Sequence, residues 1–283
     1  MNLPQQELED GKIAYGLSTS LLSGTDVQSA IAMAVDAGFG LLEVSAGRIE
    51  WFQDVRAVRL RLDEAGVKVR SVHAPSAGWK LADPDEEIRR AAVEATCGCL
   101  APAVDMGAEI VVCHCNAPGG EFAASDYAPS IARSIESLRI VAAEAGRLAV
   151  RLAVETMIPR GQKRPAQKVS EILEIIEGLG DHVGICLDTG HSHAGGNDIA
   201  AEAIAAGDKL FATHLQDNHG VAGQDEHLMP GEGTIDWHSL LDALDGMGFM
   251  GTRTFEIAAA SSPAEAARKI VALAKLRDEW QKR

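Results

Sequence analysis

Nine of the side chains able to bind a metal stand out along this chain: His73, His114, Glu155, Asp188, His191, His214, Asp225, His227 and Glu256. Taken singly, each has a bland reading. A histidine after a strand is commonly a satisfied core residue, and a glutamate there commonly pairs with a helix cation. Six of them, His73, His114, Glu155, Asp188, His214 and Glu256, close successive short apolar segments. Six ionisable groups directed into one mouth would repel or desolvate one another, because buried unpaired charge costs several kcal/mol. A divalent cation is the natural compensation. Glu155, Asp188, His214 and Glu256 make a mostly oxygen-rich donor set. Such a set favours Mn²⁺ first, with Mg²⁺ or Co²⁺ next, and Zn²⁺ competes if the histidines join.

The remaining polar signals surround these. Asp188-Thr189-Gly190-His191 places a second imidazole on the loop just above the aspartate, whereas His193 reads as structural or solvent-facing. After the seventh apolar run comes a long polar stretch with Leu215-Gln216-Asp217-Asn218-His219, Asp225-Glu226-His227 and Gly231-Glu232-Gly233. Loops of this length in a compact domain are usually functional. Asp225 and His227, two apart, share a face in extended backbone and can chelate an ion or touch a substrate. Arg160, Lys163, Arg164 and Lys168 form a basic cluster read as solvated surface, with an anionic substrate group as the alternative. Trp79 and Lys80 can form a wall for a sugar ring, or Trp79 can simply cover the mouth. Glu43 adds a carboxylate near the end of the second apolar run.

To converge, these residues need parallel strands joined by crossover helices, and the pattern supplies them. Apolar runs at 13–17, 40–44, 67–73, 109–114, 149–155, 183–188, 210–215 and 252–257 alternate with amphipathic stretches near 26–37, 52–65, 85–106, 126–145, 168–179, 198–206, 236–246 and 263–281. Caps mark the helix starts at Thr25-Asp26, Asp83-Pro84, Ser125-Asp126, Asn197-Asp198, Asp236 and Ser262-Pro263. Glycine stops follow at Gly38, Gly66, Gly146 and Gly207. The fold class expected is α/β, a single-domain (β/α)8 TIM barrel over 1–283 with 1–11 as a loose N-terminal extension, and a doubly wound open sheet as competitor. Residues two back from the strand-end groups, Ser71, Val112, Ala153, Cys186, Ala212 and Thr254, would line a narrow interior. The same alternation turns both sulfurs of Cys113-His114-Cys115 away from the histidine, so no shared zinc site is expected there. Five cysteines with no C-x-x-C spacing read as reduced thiols.

Composition narrows the function classes. With 26 Lys and Arg against 41 Asp and Glu, the net charge of −15 disfavours nucleic acid and anionic membranes. An apolar fraction of 46% excludes disorder for the bulk of the chain. No apolar segment reads as a signal peptide or a membrane span, so a cytoplasmic location and a small-molecule partner are expected, with homo-oligomerisation left open.

The motifs SVHAP (71–75), VVCH (111–114), AVET (153–156), ICLDTGH (185–191), THLQD (213–217), DEHLMPGEGTIDW (225–237) and TFEI (254–257) resemble the xylose isomerase-like TIM barrel superfamily, in particular its sugar phosphate isomerase/epimerase branch. That resemblance implies metal ligation by Glu155, Asp188, His214 and Glu256, with the two glutamates flanking the substrate as proton donor and acceptor and His191 on a substrate oxygen. Endonuclease IV of the same superfamily implies a larger set, a three-zinc cluster on all nine residues above. His73, His114, His191, Asp225 and His227 are therefore substrate-binding or additional metal positions. No basic and aromatic insertions suited to gripping a bent duplex are evident. The expected function is a metal-dependent isomerase or epimerase of a small sugar- or polyol-derived carbonyl compound, or a dehydratase variant of it. The alternatives are an endonuclease IV-like phosphodiesterase and a non-catalytic sugar-binding barrel.

Overall fold

In the computed structural model, residues 13–22, 24–115, 123–161 and 164–283 are described, and the expected extension 1–11 and Lys163 lie outside them. Short β-branched runs form the strands β1 (Tyr15–Ser18), β2 (Leu41–Ser45), β3 (Lys68–His73), β4 (Ile110–Cys113), β5 (Arg151–Glu155), β6 (Val183–Asp188), β7 (Leu210–Leu215) and β8 (Thr252–Phe255). All neighbours pair parallel, and β1 also pairs β8, which closes the barrel and removes the open-sheet alternative. Around it run α1 (Val27–Asp36), α2 (Val55–Ala65), α3 (Glu86–Met106), α4 (Tyr127–Arg147), α5 (Val169–Ile176), α6 (Thr189–Ala194), α7 (Ile199–Ala206), α8 (Trp237–Gly246) and α9 (Pro263–Trp280). The architecture is the expected (β/α)8 barrel.

Side-chain caps start most of the helices. Asp26, Asp54, Asp198, Asp236 and Ser262 each accept from the backbone N–H three residues on, satisfying one of the orphan donors of a first turn. Three details differ from the sequence reading, the first being that Asp126 makes no side-chain cap hydrogen bond to α4. Helix α3 is capped by Asp85, two residues after the expected Asp83. Gly146 does not stop α4, which runs on to Arg147; the positive φ of 55° falls on Ala149 instead. Gly146 is small because the His182 ring lies 3.2 Å from where its Cβ would be.

The main core lies between strands and helices, and a small cluster of Ile110, Val112, Ala153, Cys186, Phe211 and Ala212 fills the barrel. Phe211 is the unexpected member. The β6–β7 register shifts between Ile185 and Cys186, so that Leu210 and Ala212 are paired and Phe211 is the extra residue. A Cβ on Gly184 would meet the Phe211 ring at 2.6 Å, so the ring's place depends on that glycine. Polar groups therefore crowd the opposite end, above an apolar plug.

Candidate metal centre and active site

The C-terminal ends of the strands bring the expected groups together. Glu155 is the hinge of the arrangement, 1% exposed, with Oε2 at 3.0 Å from His73 Nε2 and 2.9 Å from His114 Nε2. Its Oε1 lies 3.2 Å from His214 Nδ1. That same nitrogen is 2.9 Å from Glu256 Oε2 and 3.9 Å from Asp188 Oδ2. Among the described residues, four groups could each share one ion: Glu155, Asp188, His214 and Glu256; His73, His114 and Glu155; His73, His214 and Glu256; and His191, Asp225 and His227. All nine sequence-picked residues thus enter at least one cluster.

The third triad comes from α6 and the β7–α8 loop. His191 belongs to α6, a six-residue helix capped by Asp188, whose Oδ1 accepts from His191 N at 2.7 Å; the sequence reading had placed it on a loop. Asp225 Oδ1 is 3.3 Å from His191 Nε2 and 3.1 Å from His227 Nε2. Holding the β7–α8 loop in place is Asp217, fully buried, which accepts from Asn218 N, Ile235 N, Gly231 N and Trp237 Nε1 at 2.7–3.2 Å. Gln216 adds a bridge, donating to Asp188 at 3.1 Å and accepting from His227 N at 3.1 Å. His227 itself sits at φ 48°, so Asp225 and His227 do not share a face by extended backbone as expected; their side chains are brought together by this turn.

Burial and the imidazoles pull these groups in opposite directions. Burial disfavours the charged forms, yet the carboxylates around His73 raise it to about 9. Asp188 and Asp225 likewise outweigh burial at His191 and raise it to about 10, and Asp225 with Glu256 raises His227 to about 9. His114 is the exception, lowered by burial. Burial pushes Asp188 up to about 6, while His114 and His214 hold Glu155 well below the usual carboxylate range against its own burial.

The sequence of this barrel matches the profile of the xylose isomerase-like TIM barrel family over residues 31–277. The chain belongs to that family. Among its relatives are an uncharacterised protein of Mycobacterium tuberculosis, 28% identical over 88% of this chain and 90% of that protein, and the D-psicose 3-epimerase of Ruminiclostridium cellulolyticum, 25% identical over 82% and 78%. A probable endonuclease 4 of Clostridium botulinum is 33% identical over only 34% of this chain and 39% of its own. Among solved structures, a D-tagatose 3-epimerase-like protein superposes with a TM-score of 0.81 at 21% identity, covering 95% of this chain and 98% of that one. The IOLI protein, solved with a zinc atom, gives a TM-score of 0.80 at 18% identity over 94% and 96%. These structural likenesses show the shared barrel.

For this xylose isomerase-like barrel, the hydrogen bonds themselves test whether a cation fits. His73, His191 and His227 each donate Nδ1–H to a backbone carbonyl, those of Ala74, Thr156 and Glu256, at 2.8–2.9 Å. A neutral ring so held turns a bare Nε2 lone pair toward a carboxylate oxygen, acceptor against acceptor. Either a second ring proton or a cation between them must resolve that conflict, and the mixed N and O donors suit a divalent ion. The residues present fit the group.

Other expectations have mixed outcomes. Trp79 stacks on His114, with centroids 4.6 Å apart and planes at 21°. Of the basic cluster, Arg160 reaches Asp225 Oδ2 at 3.4 Å, whereas Arg164 is buried and is not the solvated residue expected. His193 is structural, paired with Thr234 Oγ1 at 2.8 Å. The sequence marks Glu43 only as one more carboxylate near a strand end, the lone acid inside the apolar strand LLEVS, and Gln216 and Asp217 only as part of a long polar loop, without the partners they are found to have.

Proposed function

We propose that this chain is a divalent-metal-dependent isomerase or epimerase acting on a small sugar- or polyol-derived carbonyl compound, with Mn²⁺ as the preferred ion and Mg²⁺, Co²⁺ or Zn²⁺ as substitutes. One observation carries the reading: two glutamates far apart in the chain, Glu155 at the end of β5 and Glu256 just after β8, meet on one imidazole nitrogen of His214 at 3.2 and 2.9 Å. The relationship to a D-psicose 3-epimerase supports it. Glu155, Asp188, His214 and Glu256 would hold the divalent ion, which when bound would polarise adjacent carbonyl and hydroxyl oxygens of the substrate and so acidify the proton α to the carbonyl.

The chain's own groups divide the remaining work. Glu256, 13% exposed against 1% for Glu155, faces the mouth and takes the proton α to the carbonyl. Glu155 returns one from the other side, and each positioned group contributes about 10²–10⁴-fold. His191, fixed by Thr156 and Asp188, orients a substrate hydroxyl, and the Asp217-anchored loop excludes water. Loss of a β-hydroxyl in place of reprotonation turns the same groups into a dehydratase.

A second reading has its own observation. The three clusters joined through Glu155 and His191 could hold several ions, as a metal-dependent phosphodiesterase of the endonuclease IV type requires. The charge of −15 weighs against a duplex substrate.

Metal counting and solvent isotope exchange separate these readings. Protein loaded with Mn²⁺ and given a panel of ketoses, sugar acids and keto-inositols in D₂O should wash deuterium into the carbon next to the carbonyl. Three zinc ions per chain with incision of abasic DNA, and no exchange anywhere on the panel, would overturn the proposal in favour of the phosphodiesterase. Bound metal with neither activity would favour a sugar-binding barrel.

A further inference from the structure

We infer that Glu43 is a positioning residue that fixes the tautomer and plane of His214, so that Nδ1 and not Nε2 faces the carboxylates of Glu155, Asp188 and Glu256. The inference rests on the metal-dependent reading above. Glu43 is fully buried on β2, and both its oxygens lie 3.1 Å from His214 Nε2. Ser71 Oγ donates to its Oε2 at 2.7 Å. Glu43 belongs to none of the four clusters able to share an ion. It stands behind the ring, not beside the site.

The chemistry follows from what a carboxylate can do. It accepts and does not donate, so the ring nitrogen facing it must carry the proton, which leaves the Nδ1 lone pair free toward the site. His73, His191 and His227 are fixed the other way round, through Nδ1–H to backbone carbonyls. His214 alone among these four bonds no backbone carbonyl, both of its ring nitrogens facing side-chain carboxylates, with Glu43 on Nε2. That makes its tautomer dependent on one replaceable residue.

The backbone is built for this contact. In the β2–β3 pairing the register shifts between Leu42 and Glu43: Leu42 stands opposite Val69, but Glu43 opposite Ser71. Arg70 is the extra residue, and it turns to Glu109 at 2.5 Å. The bulge thus sets a neutral hydroxyl beside the Glu43 carboxylate where regular pairing would set a guanidinium. An Arg70 partner would draw the carboxylate away from the histidine.

The test uses the full chain with Zn²⁺ and Mn²⁺ as probes. Chelator competition should show Glu43→Gln weakening Zn²⁺ binding about tenfold and Glu43→Leu about a hundredfold, the range found for partners that orient metal-binding histidines. Ser71→Ala, which leaves the carboxylate in place, should weaken it by a smaller factor. In zinc-loaded, ¹⁵N-labelled protein, the downfield Nε2 proton of His214 should be present in the wild type and lost in Glu43→Leu, a change that a packing role would not produce. Wild-type affinity and an unchanged Nε2 signal in Glu43→Gln and Glu43→Leu, both folded by circular dichroism, would overturn the inference while leaving the metal reading standing. If the wild type takes up neither ion, the metal reading falls and the inference falls with it.

Discussion

Glu155, Asp188 and His214 stand on β5, β6 and β7 and keep at most 1% of their surface, whereas Asp225 and His227 stand on the β7–α8 loop and keep about a quarter of theirs. The strand groups are placed by the ladder itself, since consecutive parallel strands register Glu155 with Cys186 and Asp188 with His214. The loop groups are placed by contacts outside the ladder, chiefly the four donors converging on Asp217, the Gln216 bridge, the Asp217–Leu228 backbone pairing and the Ala258 N–H donating to the His227 carbonyl. A ladder yields only when the barrel unfolds, while a hydrogen-bonded loop can open locally at lower cost. The strand-borne half is therefore suited to the bond-making groups, and the loop-borne half to substrate capture.

The comparison can be broken most directly at Glu155. Replacing Glu155 by Gln removes the carboxylate common to two clusters and should cut isotope exchange about 10²–10⁴-fold. Asp225→Asn should cost only about tenfold, mostly in KM, because it alters a positioning contact. Equal losses in the two variants would abolish the division of labour.

A smaller effect is expected at the loop's anchor. Asp217→Ala leaves three backbone N–H groups and an indole without their acceptor, which should lower stability by about 2–3 kcal/mol in urea unfolding. Stoichiometric binding at the strand-borne cluster should survive. Unchanged stability would show that the loop is held by something other than that carboxylate.

The least change is expected from pH. In metal-free protein, His73 is raised to about 9, His191 to about 10 and His227 to about 9. Because folded values above the unfolded 6.5 stabilise the protonated state, their contribution is complete below about pH 6.5 and disappears as pH climbs through 9–10. The melting temperature of chelator-treated protein should therefore fall over that window. Metal-loaded protein, whose imidazoles have already released those protons, should show a flatter profile. Identical profiles with and without metal would mean that no ion replaces the protons.

Much of this was legible in the chain before any coordinates. Period-two apolar runs closed by acids or histidines, alternating with capped amphipathic stretches, specify eight β/α units, and Asp188, His214 and Glu256 follow because a strand end has one place to point. Glu155 was recognisable on the same ground. The reversal at Ala149 was not, since Ala145-Gly146 carries the ordinary stop signal and the pressure of His182 on Gly146 is a contact 36 residues away along the chain.

What the sequence determined by itself is local: which segments are strands, where helices begin, and which side chains could carry charge to one rim. Periodicity and capping depend on neighbours a few residues apart, so one chain suffices to read them. What only the tertiary structure decided is non-local: the bulges at Arg70 and Phe211, the turn that brings His227 to Asp225, and the meeting of Glu43 with His214 across 171 positions. A bulge moves one residue in the ladder, and every contact beyond it depends on a pairing that no local pattern encodes.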